Sequence, residues 1–277
     1  LEAEHQLAHH AVAQNGRAAR IGRQVAADLA GTPGTQRQRE QALDRFGTAF
    51  GICNPLYGVQ MVFSEDMQDA FCRALNDWLA REWLDKDDRL RGSIVIPAQS
   101  VEKSVAEIER CAEDKRFVQV LMLVMGDMPL GKRAYWPIYA AAERLGLTIG
   151  IHAGSAYHNP PTSVGWGSYH IEDYVAQAQA FQTQVTSLIV EGVFARFPNL
   201  KMVMLESGFT WLPAYLWRLH KFWRGVRMET PWVDRSPQEI VRSNIRFSLQ
   251  PVDAPPDPAT LNRLFDHMQS DELLLFS

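Results

Sequence analysis

The sequence has 277 residues, 46% of them hydrophobic, so it can bury the core of one barrel-sized domain or of two smaller ones. Its net charge of -4 and isoelectric point near 6.1 argue against nucleic acid as a partner, because no basic surface meets a phosphate backbone. Three widely spaced cysteines, Cys53, Cys72 and Cys111, predict neither a disulfide framework nor a metal site and favour a cytoplasmic location. No apolar run approaches the roughly 20 residues that span a bilayer, so we expect no membrane partner.

The two ends of the sequence differ from its middle. Residues 1–35 are predicted to be an N-terminal helical segment, because apolar residues recur there at helical spacing until a Gly-Thr-Pro-Gly break at 31–34. Residues 36–277 are predicted to form a single domain. Because the chain begins at Leu1 and ends at Ser277, directly after an apolar run typical of a strand, we expect a piece to be missing from each end.

Seven apolar, β-prone runs occur along this domain, and helical sequence follows each of them except the last. Their spacing of roughly 25 to 50 residues is typical of repeated βα units. No glycine-rich phosphate turn follows any run, which argues against a nucleotide-binding open sheet. The pattern therefore predicts an α/β fold, a (β/α)8 TIM barrel whose first strand is missing from this sequence. The predicted strands are 49–53, 92–97, 117–125, 147–152, 200–205, 245–249 and 273–276.

His152 ends the fourth of these predicted strands. The run from Leu147 to His152 is apolar or β-prone, and Ala-Gly-Ser directly after the histidine breaks the strand. Loops at the carboxyl ends of parallel strands bind ligands, so His152 is a candidate metal ligand or general base. A core histidine bonded to a neighbouring carbonyl explains the same pattern equally well.

Other strands deliver polar side chains to the same edge of the predicted sheet. Glu206 directly follows the apolar run 202–205, which places it at the rim of the core, where an unpaired carboxylate is costly. A carboxylate on a surface loop is the alternative interpretation. We predict that His152 and Glu206 face one central space, as expected of a metal ligand and a neighbouring acid/base group or second ligand. The residues at the predicted strand ends are Asn54, Gln99, Met125, His152, Glu206 and Gln250.

Four runs of sequence then carry a family resemblance. They are Gly150-Ile-His-Ala-Gly154, Phe197 to Phe209, Trp211-Leu-Pro213 and Leu273 to Ser277. In their order and spacing they resemble the amidohydrolase-related family of metal-dependent TIM barrels, which includes aminocarboxymuconate semialdehyde decarboxylase and resorcylate decarboxylase. The resemblance covers about residues 36–277.

The resemblance implies a metal cofactor. It matches His152 to the family's metal-binding histidine on the fifth strand, which holds a single divalent metal, usually zinc. The family's other ligands come from a His-x-His or Glu-x-His on the first strand and an Asp just past the eighth. Neither is present in this sequence. We therefore expect one zinc ion in the full-length protein, with the remaining ligands before Leu1 and after Ser277.

Glu206 marks a departure from the decarboxylases of that family, which carry a catalytic histidine followed by Gly-Gly at this position. Here Glu206 precedes Ser207-Gly208. A carboxylate beside a metal can act as a general base for hydrolysis or as an extra metal ligand, and the sequence does not choose between them. We predict a metal-dependent hydrolase of a small carboxylate or of a cyclic or aromatic substrate, with Glu206 catalytic. A non-oxidative decarboxylase of the same family and a non-catalytic barrel that binds a small molecule are the alternatives.

A substrate pocket is predicted around these two residues. Trp166 lies in a long loop, 157–169, and Phe209 and Trp211 follow Glu206, so these rings are candidates for an apolar wall. Packing of helix on sheet is the alternative role for them. The expected partner is a small molecule. Because barrels of the resembled family often pair with a second copy, we also expect a homo-oligomer. The predicted pocket residues are Asn54, Gln99, Trp166, Phe209, Trp211 and Gln250.

Overall fold

The computed structural model describes residue 36 and residues 39–154, 159–268 and 273–275. The predicted helical segment at residues 1–35 lies outside this range. The chain divides into two compact units, one made of residues 1–51 and 81–90 and the other of residues 52–80 and 91–277, as far as these are described.

Seven strands form a single sheet in the order in which they occur along the chain. Each pairing from β2 to β7 is parallel. Sequential parallel strands with helices between them are the arrangement of a TIM barrel, so the predicted fold class is confirmed, with seven strands in the described part of the chain. The strands are β1 (Gly51–Cys53), β2 (Leu90–Val95), β3 (Phe117–Leu123), β4 (Thr148–His152), β5 (Met202–Leu205), β6 (Ile245–Ser248) and β7 (Leu274–Leu275).

At least one α-helix follows each of the first six strands. None of the helices in the described ranges is long and apolar enough to cross a membrane. The α-helices are α1 (Glu65–Leu79), α2 (Val101–Cys111), α3 (Trp136–Leu145), α4 (His170–Val190), α5 (Val193–Arg196), α6 (Leu212–Val226), α7 (Pro237–Asn244) and α8 (Pro258–Met268). Shorter helical turns are Arg39–Leu43, Val59–Met61, Ala80–Leu84, Arg133–Tyr135 and Arg227–Glu229.

Several predicted strands end earlier in the structure, and the helical sequence after β4 is divided. The helical sequence after β4 forms two helices, α4 and α5, because the chain turns at Gly192 with φ of 83°. A Cβ atom at Gly192 would lie 2.5 Å from the Trp232 indole, so only glycine fits this turn. The strand predicted over 92–97 ends at Val95, since Pro97 has no N–H to continue the ladder.

The strand register defines the face of the sheet that carries His152, which we call the His152 face. His152 pairs with Leu123 and with Leu205, and paired residues of parallel strands point to the same face. The opposite face carries fully buried apolar residues such as Val120, Ile151 and Met204. Both faces of the central strands are therefore covered, as expected for parallel strands.

Asn76 of α1 fixes the end of β2. Its amide donates to the Val95 carbonyl and accepts from the Val95 N–H, both at 2.9 Å. The same amide donates to the fully buried Glu107 carboxylate of α2 at 2.7 Å, and Arg110 donates two further bonds to Glu107. Burial raises the pKa of Glu107, but the bonds from Arg110, Asn76 and Cys111 outweigh burial and hold that pKa below its usual value.

The first unit has an ion-pair cluster of its own. Asp87 accepts from Arg89 at 2.8 Å and lies 2.9 Å from the Arg39 guanidinium. The hydrogen bond from Arg89, reinforced by both positive charges, lowers the pKa of Asp87 to about 2. Arg89 also pairs with Asp44 at 2.8 Å, so this cluster joins the two sequence segments of the unit.

Candidate active site

His152 is the last residue of β4 and is 6% exposed. Its Nδ1 lies 2.7 Å from the carbonyl oxygen of Ala153. Because a carbonyl can only accept, Nδ1 carries the proton in the neutral ring and Nε2 carries the lone pair. The bond to a neighbouring carbonyl that the sequence analysis gave as the alternative is therefore present at Nδ1. It leaves Nε2 available for a ligand or a proton.

Backbone bonds fix the strand ends on both sides of His152. The His152 carbonyl accepts from the Val124 N–H at 2.8 Å, and the Ala153 N–H donates to the Leu205 carbonyl at 3.0 Å. The Gly154 N–H donates to the buried Gln177 side chain of α4 at 3.3 Å. The imidazole is therefore carried by backbone that is bonded to β3, to β5 and to a helix.

Glu206 directly follows β5 and adopts a left-handed conformation, with φ of 54°. This conformation is uncommon for a residue with a side chain. The Glu206 N–H donates to the Ser248 hydroxyl at 3.0 Å, and 38% of the Glu206 side chain is exposed. The backbone of Glu206 is therefore fixed by this hydrogen bond, and its side chain is partly open to solvent.

The imidazole and the carboxylate lie side by side at the carboxyl edge of the sheet. Nε2 of His152 and Oε2 of Glu206 are 3.8 Å apart, which is too long for a direct hydrogen bond. Both atoms can hold a proton or bind a cation, so the pair has the chemistry of a proton-transfer or cation-binding site.

A metal ion needs more donors than this pair. The described residues contain no group of three or more His, Cys, Asp and Glu side chains that could hold a metal. Three protein ligands are usual for a catalytic zinc, and His152 with Glu206 supplies two. The described part of the chain therefore does not form a complete metal site.

Asn54 belongs to a polar network on the His152 face. Its side-chain oxygen accepts from the Ser93 hydroxyl at 2.6 Å and from the Gln119 amide at 3.0 Å, and Gln119 also donates to Ser93 at 2.8 Å. Ser93 and Gln119 are buried. A Cβ atom at Gly150 would lie 2.5 Å from the Gln119 carboxamide, so glycine at this position of β4 makes room for the network.

Gln99, through its side chain, and Gln250, through its backbone carbonyl, each make a hydrogen bond at these strand ends. The Gln99 side chain donates to the Val62 carbonyl at 2.6 Å. The Gln250 carbonyl accepts from the Ser248 hydroxyl at 3.1 Å. Gln99 thus joins the loop after β2 to the segment before α1, and Gln250 joins the loop after β6 to the strand itself.

The three predicted aromatic wall residues have different surroundings. Phe209 is fully buried and stacks on Phe265, with ring centroids 5.6 Å apart. Trp211 donates from its indole N–H to the Ser207 carbonyl at 2.9 Å and packs against Tyr215 and Phe247. Trp166 is 62% exposed. Phe209 presents no surface to a ligand, and Trp211 braces the turn that carries Glu206.

Two residues near Glu206 were not predicted from the sequence. Ser248 is 1% exposed and accepts from the Glu206 N–H. Asp253 places Oδ2 2.3 Å from the point that a Cβ atom on Gly208 would occupy, and burial raises the pKa of this carboxyl. Ser248 could have been found from its place at the end of β6, since strand ends deliver residues to one edge of the sheet. Asp253 could not, because the loop that brings it to Gly208 has no local sequence pattern.

A family model described as amidohydrolase matches residues 9–275 of the chain. The chain belongs to the amidohydrolase family. The predicted family resemblance is therefore confirmed.

The curated relatives of the chain include decarboxylases. Over 189 residues the chain is 26% identical to gamma-resorcylate decarboxylase of Rhodococcus jostii (strain RHA1). This match covers 65% of the chain and 55% of that protein. The chain thus spans about half the length of this curated relative.

Solved structures share the fold. A 2,6-dihydroxybenzoate decarboxylase from Rhizobium is 22% identical with a TM-score of 0.67, over 87% of this chain and 76% of that one. A dihydroxybenzoic acid decarboxylase from Polaromonas sp. JS666, with bound manganese and the inhibitor 2-nitroresorcinol, is 20% identical with a TM-score of 0.66, over 90% and 80% of the two chains. At these identities the likeness shows the barrel fold.

Proposed function

We propose that the full-length protein is a non-oxidative decarboxylase of a small aromatic carboxylic acid and that Glu206 is its proton donor. The observation that carries the proposal is the pairing of His152 Nε2 and Glu206 Oε2, 3.8 Å apart at the carboxyl edge of adjacent parallel strands. The decarboxylase among its curated relatives supports this reaction over hydrolysis.

The reaction needs one proton and no oxidant. Glu206 in its acid form gives a proton to the ring carbon that bears the substrate carboxylate. The bond from that carbon to the carboxylate then breaks, its electron pair returns to the ring, and carbon dioxide leaves. Because 38% of the Glu206 side chain is exposed, water can return the proton to the carboxylate for the next cycle.

His152 contributes a second polar atom beside the reacting group. Since Nδ1 donates to the Ala153 carbonyl, the ring is fixed with Nε2 towards Glu206. The cofactor part of the proposal is one divalent metal held by His152, with zinc as the ion that the family resemblance implies and manganese as the ion bound in a solved relative. The proton transfer from Glu206 does not pass through that metal.

The rest of the sequence-based assignment stays a prediction. Asn54, Gln99 and Gln250 are proposed to shape the pocket through the contacts described above, and Trp166 and Trp211 to flank it. A cytoplasmic location and a homo-oligomer are likewise predictions. Hydrolysis, the first interpretation of the sequence, uses the same groups, with Glu206 as the base that activates water.

Release of carbon dioxide from dihydroxybenzoates tests the proposal in the full-length protein. Substitution Glu206→Gln removes the proton that the mechanism transfers, so we expect kcat to fall by about 100-fold or more. Glu191→Gln is the matched control, because Glu191 pairs with Lys132 at the protein surface. A full-length protein that releases no carbon dioxide from aromatic acids, or a Glu206→Gln variant with normal kcat, rules the proposal out.

A further inference from the structure

The position of the Glu206 carboxylate conflicts with the alternation of the strand that precedes it. Leu205 pairs with His152 and so lies on the His152 face. A strand continued by one residue would point the next side chain to the opposite face, towards the helices. Yet Oε2 of Glu206 is 3.8 Å from Nε2 of His152. The left-handed backbone at Glu206, with φ of 54°, accounts for the reversal.

Such a conformation is costly for a residue with a side chain and persists only where surrounding groups hold it. Ser248 supplies the nearest of these groups. The last paired residues of β5 and β6 are Met204 and Phe247, and beyond them the Glu206 N–H meets the Ser248 hydroxyl instead of a backbone carbonyl of β6. The side chain thus ends the ladder and satisfies the N–H that the turn would otherwise leave unpaired.

Ser248 is itself fixed. It is 1% exposed, and its hydroxyl hydrogen is committed to the Gln250 carbonyl at 3.1 Å, which leaves an oxygen lone pair for the Glu206 N–H. On the far side of the turn, the Trp211 indole donates to the Ser207 carbonyl, and Gly208 also has positive φ, of 62°. The turn 206–208 is therefore held from β6 and from the start of α6.

We propose that Ser248 is a positioning residue whose hydroxyl holds the left-handed turn at Glu206 and so places the Glu206 carboxylate on the His152 face. The catalytic consequence rests on the proposed function. The conformational claim does not, because it concerns the backbone of Glu206 and can be measured by unfolding.

The first test compares two truncations of Glu206 in two backgrounds. Glycine adopts left-handed φ without the penalty that alanine carries, so Glu206→Gly should resist urea better than Glu206→Ala, by about 5- to 30-fold in the unfolding equilibrium constant. In the Ser248→Ala background the turn is released, and this advantage of glycine should vanish or reverse. An unchanged advantage in both backgrounds overturns the proposal, as does its absence in the parent protein.

The second test is kinetic and uses the full-length protein. Ser248→Ala should lower kcat by about 10- to 100-fold with little change in KM, because the proton donor is misplaced while binding is retained. Ser248→Thr keeps the hydroxyl and should restore most of kcat. Ser104→Ala is the matched control, since it also removes a fully buried hydroxyl that donates to a backbone carbonyl, that of Pro97. Equal losses of kcat in Ser248→Ala and Ser248→Thr overturn the proposal.

The two tests separate this inference from the proposed function. If the parent protein releases no carbon dioxide, the function is wrong, and the unfolding comparison still decides the role of Ser248. If the parent protein is active and Ser248→Ala retains full kcat, the function stands and the positioning role is wrong.

Discussion

Oε2 of Glu206 lies 3.8 Å from Nε2 of His152, although the two residues do not occupy equivalent strand positions. His152 is the last residue of a regular strand, whereas Glu206 is the first residue after one and reaches the same face through a left-handed turn. The pair therefore depends on a strand for one member and on a strained turn for the other. A carboxylate positioned in this way can be disturbed through its backbone contacts as well as through its own side chain.

Removal of the His152 imidazole is the first prediction. His152→Ala in the full-length protein should abolish stoichiometric metal, because about three protein ligands hold a catalytic metal ion and the loss of one leaves too few. Metal analysis after dialysis measures this. His267→Ala is the control, since His267 lies on α8 and contacts the Trp217 ring. Full metal content in His152→Ala would contradict the assignment.

Much of this arrangement was predictable because the signals are local. Apolar runs and their spacing predicted seven strands, and the position of His152 and Glu206 at the ends of two runs predicted the edge to which both belong. The conformation of Glu206 was not predictable, since nothing in Leu-Glu-Ser-Gly requires positive φ at the glutamate. The contact with Ser248 spans 42 residues of sequence and so leaves no short-range pattern.

The sequence alone also did not distinguish buried aromatic rings from exposed ones. Phe209 and Trp211 follow Glu206 by three and five residues, and the sequence cannot show that Phe209 faces Phe265 and Trp211 faces Phe247. The contacts of Asn54 were not predictable either, because its partners Ser93 and Gln119 come from two other strands. Contacts of this kind are set by tertiary packing.

The Glu107 network between α1 and α2 gives a prediction about stability and pH. Glu107→Gln removes a fully buried charge that accepts from Arg110 and Asn76, and should cost about 2 kcal/mol at pH 7. Because the folded pKa of Glu107 is lowered, its contribution is present above the unfolded pKa near 4.3 and is lost as pH falls through the folded value. Urea unfolding at pH 7, 5 and 3 should therefore show the deficit shrinking at low pH.

Glu109→Gln is the matched control for this prediction. Glu109 lies two residues away on α2 and pairs with Arg144, but both side chains are at least half exposed. Exposed pairs contribute about 0 to 1 kcal/mol, so the control should lose little stability at any of these pH values. A deficit in Glu107→Gln that stays constant down to pH 3 would show that lost hydrogen-bond acceptance rather than lost charge is responsible.

Two glycines give opposite predictions for the same substitution. At Gly131 a Cβ atom would lie 2.2 Å from the Ser187 backbone oxygen of α4, and backbone cannot rotate away as a side chain can. Gly131→Ala should therefore destabilise the protein by more than about 2 kcal/mol. Gly225 lies within α6 with open space around its Cβ position, so Gly225→Ala should stabilise it by about 0.5 to 1 kcal/mol. Thermal unfolding of both variants measures the difference, and equal effects would contradict the packing of α4 on the loop after β3.

The last prediction concerns Asp253, whose carboxylate lies against Gly208 in the turn that follows Glu206. Asp253 is exposed as a residue, but partial desolvation raises the pKa of its carboxyl, so the ionised form is less favourable in the folded protein than in the unfolded chain. A raised folded pKa favours the fold fully below the unfolded value near 3.9, and this gain is lost as pH rises through the folded pKa. Asp253→Asn keeps the shape without the charge, so it should raise the midpoint of thermal unfolding at pH 7 and leave it unchanged at pH 3.

Asp257, four residues further along the chain, provides a control of opposite sign. Its carboxylate accepts from the Thr260 hydroxyl and from the N–H groups of Ala259 and Thr260 at the start of α8, and these bonds lower its pKa. Asp257→Asn should therefore lower the unfolding midpoint at pH 7 and lose that effect at low pH. If Asp253→Asn also lowers the midpoint at pH 7, the carboxylate of Asp253 is not held in an unfavourable environment, and its contact with Gly208 stabilises the turn.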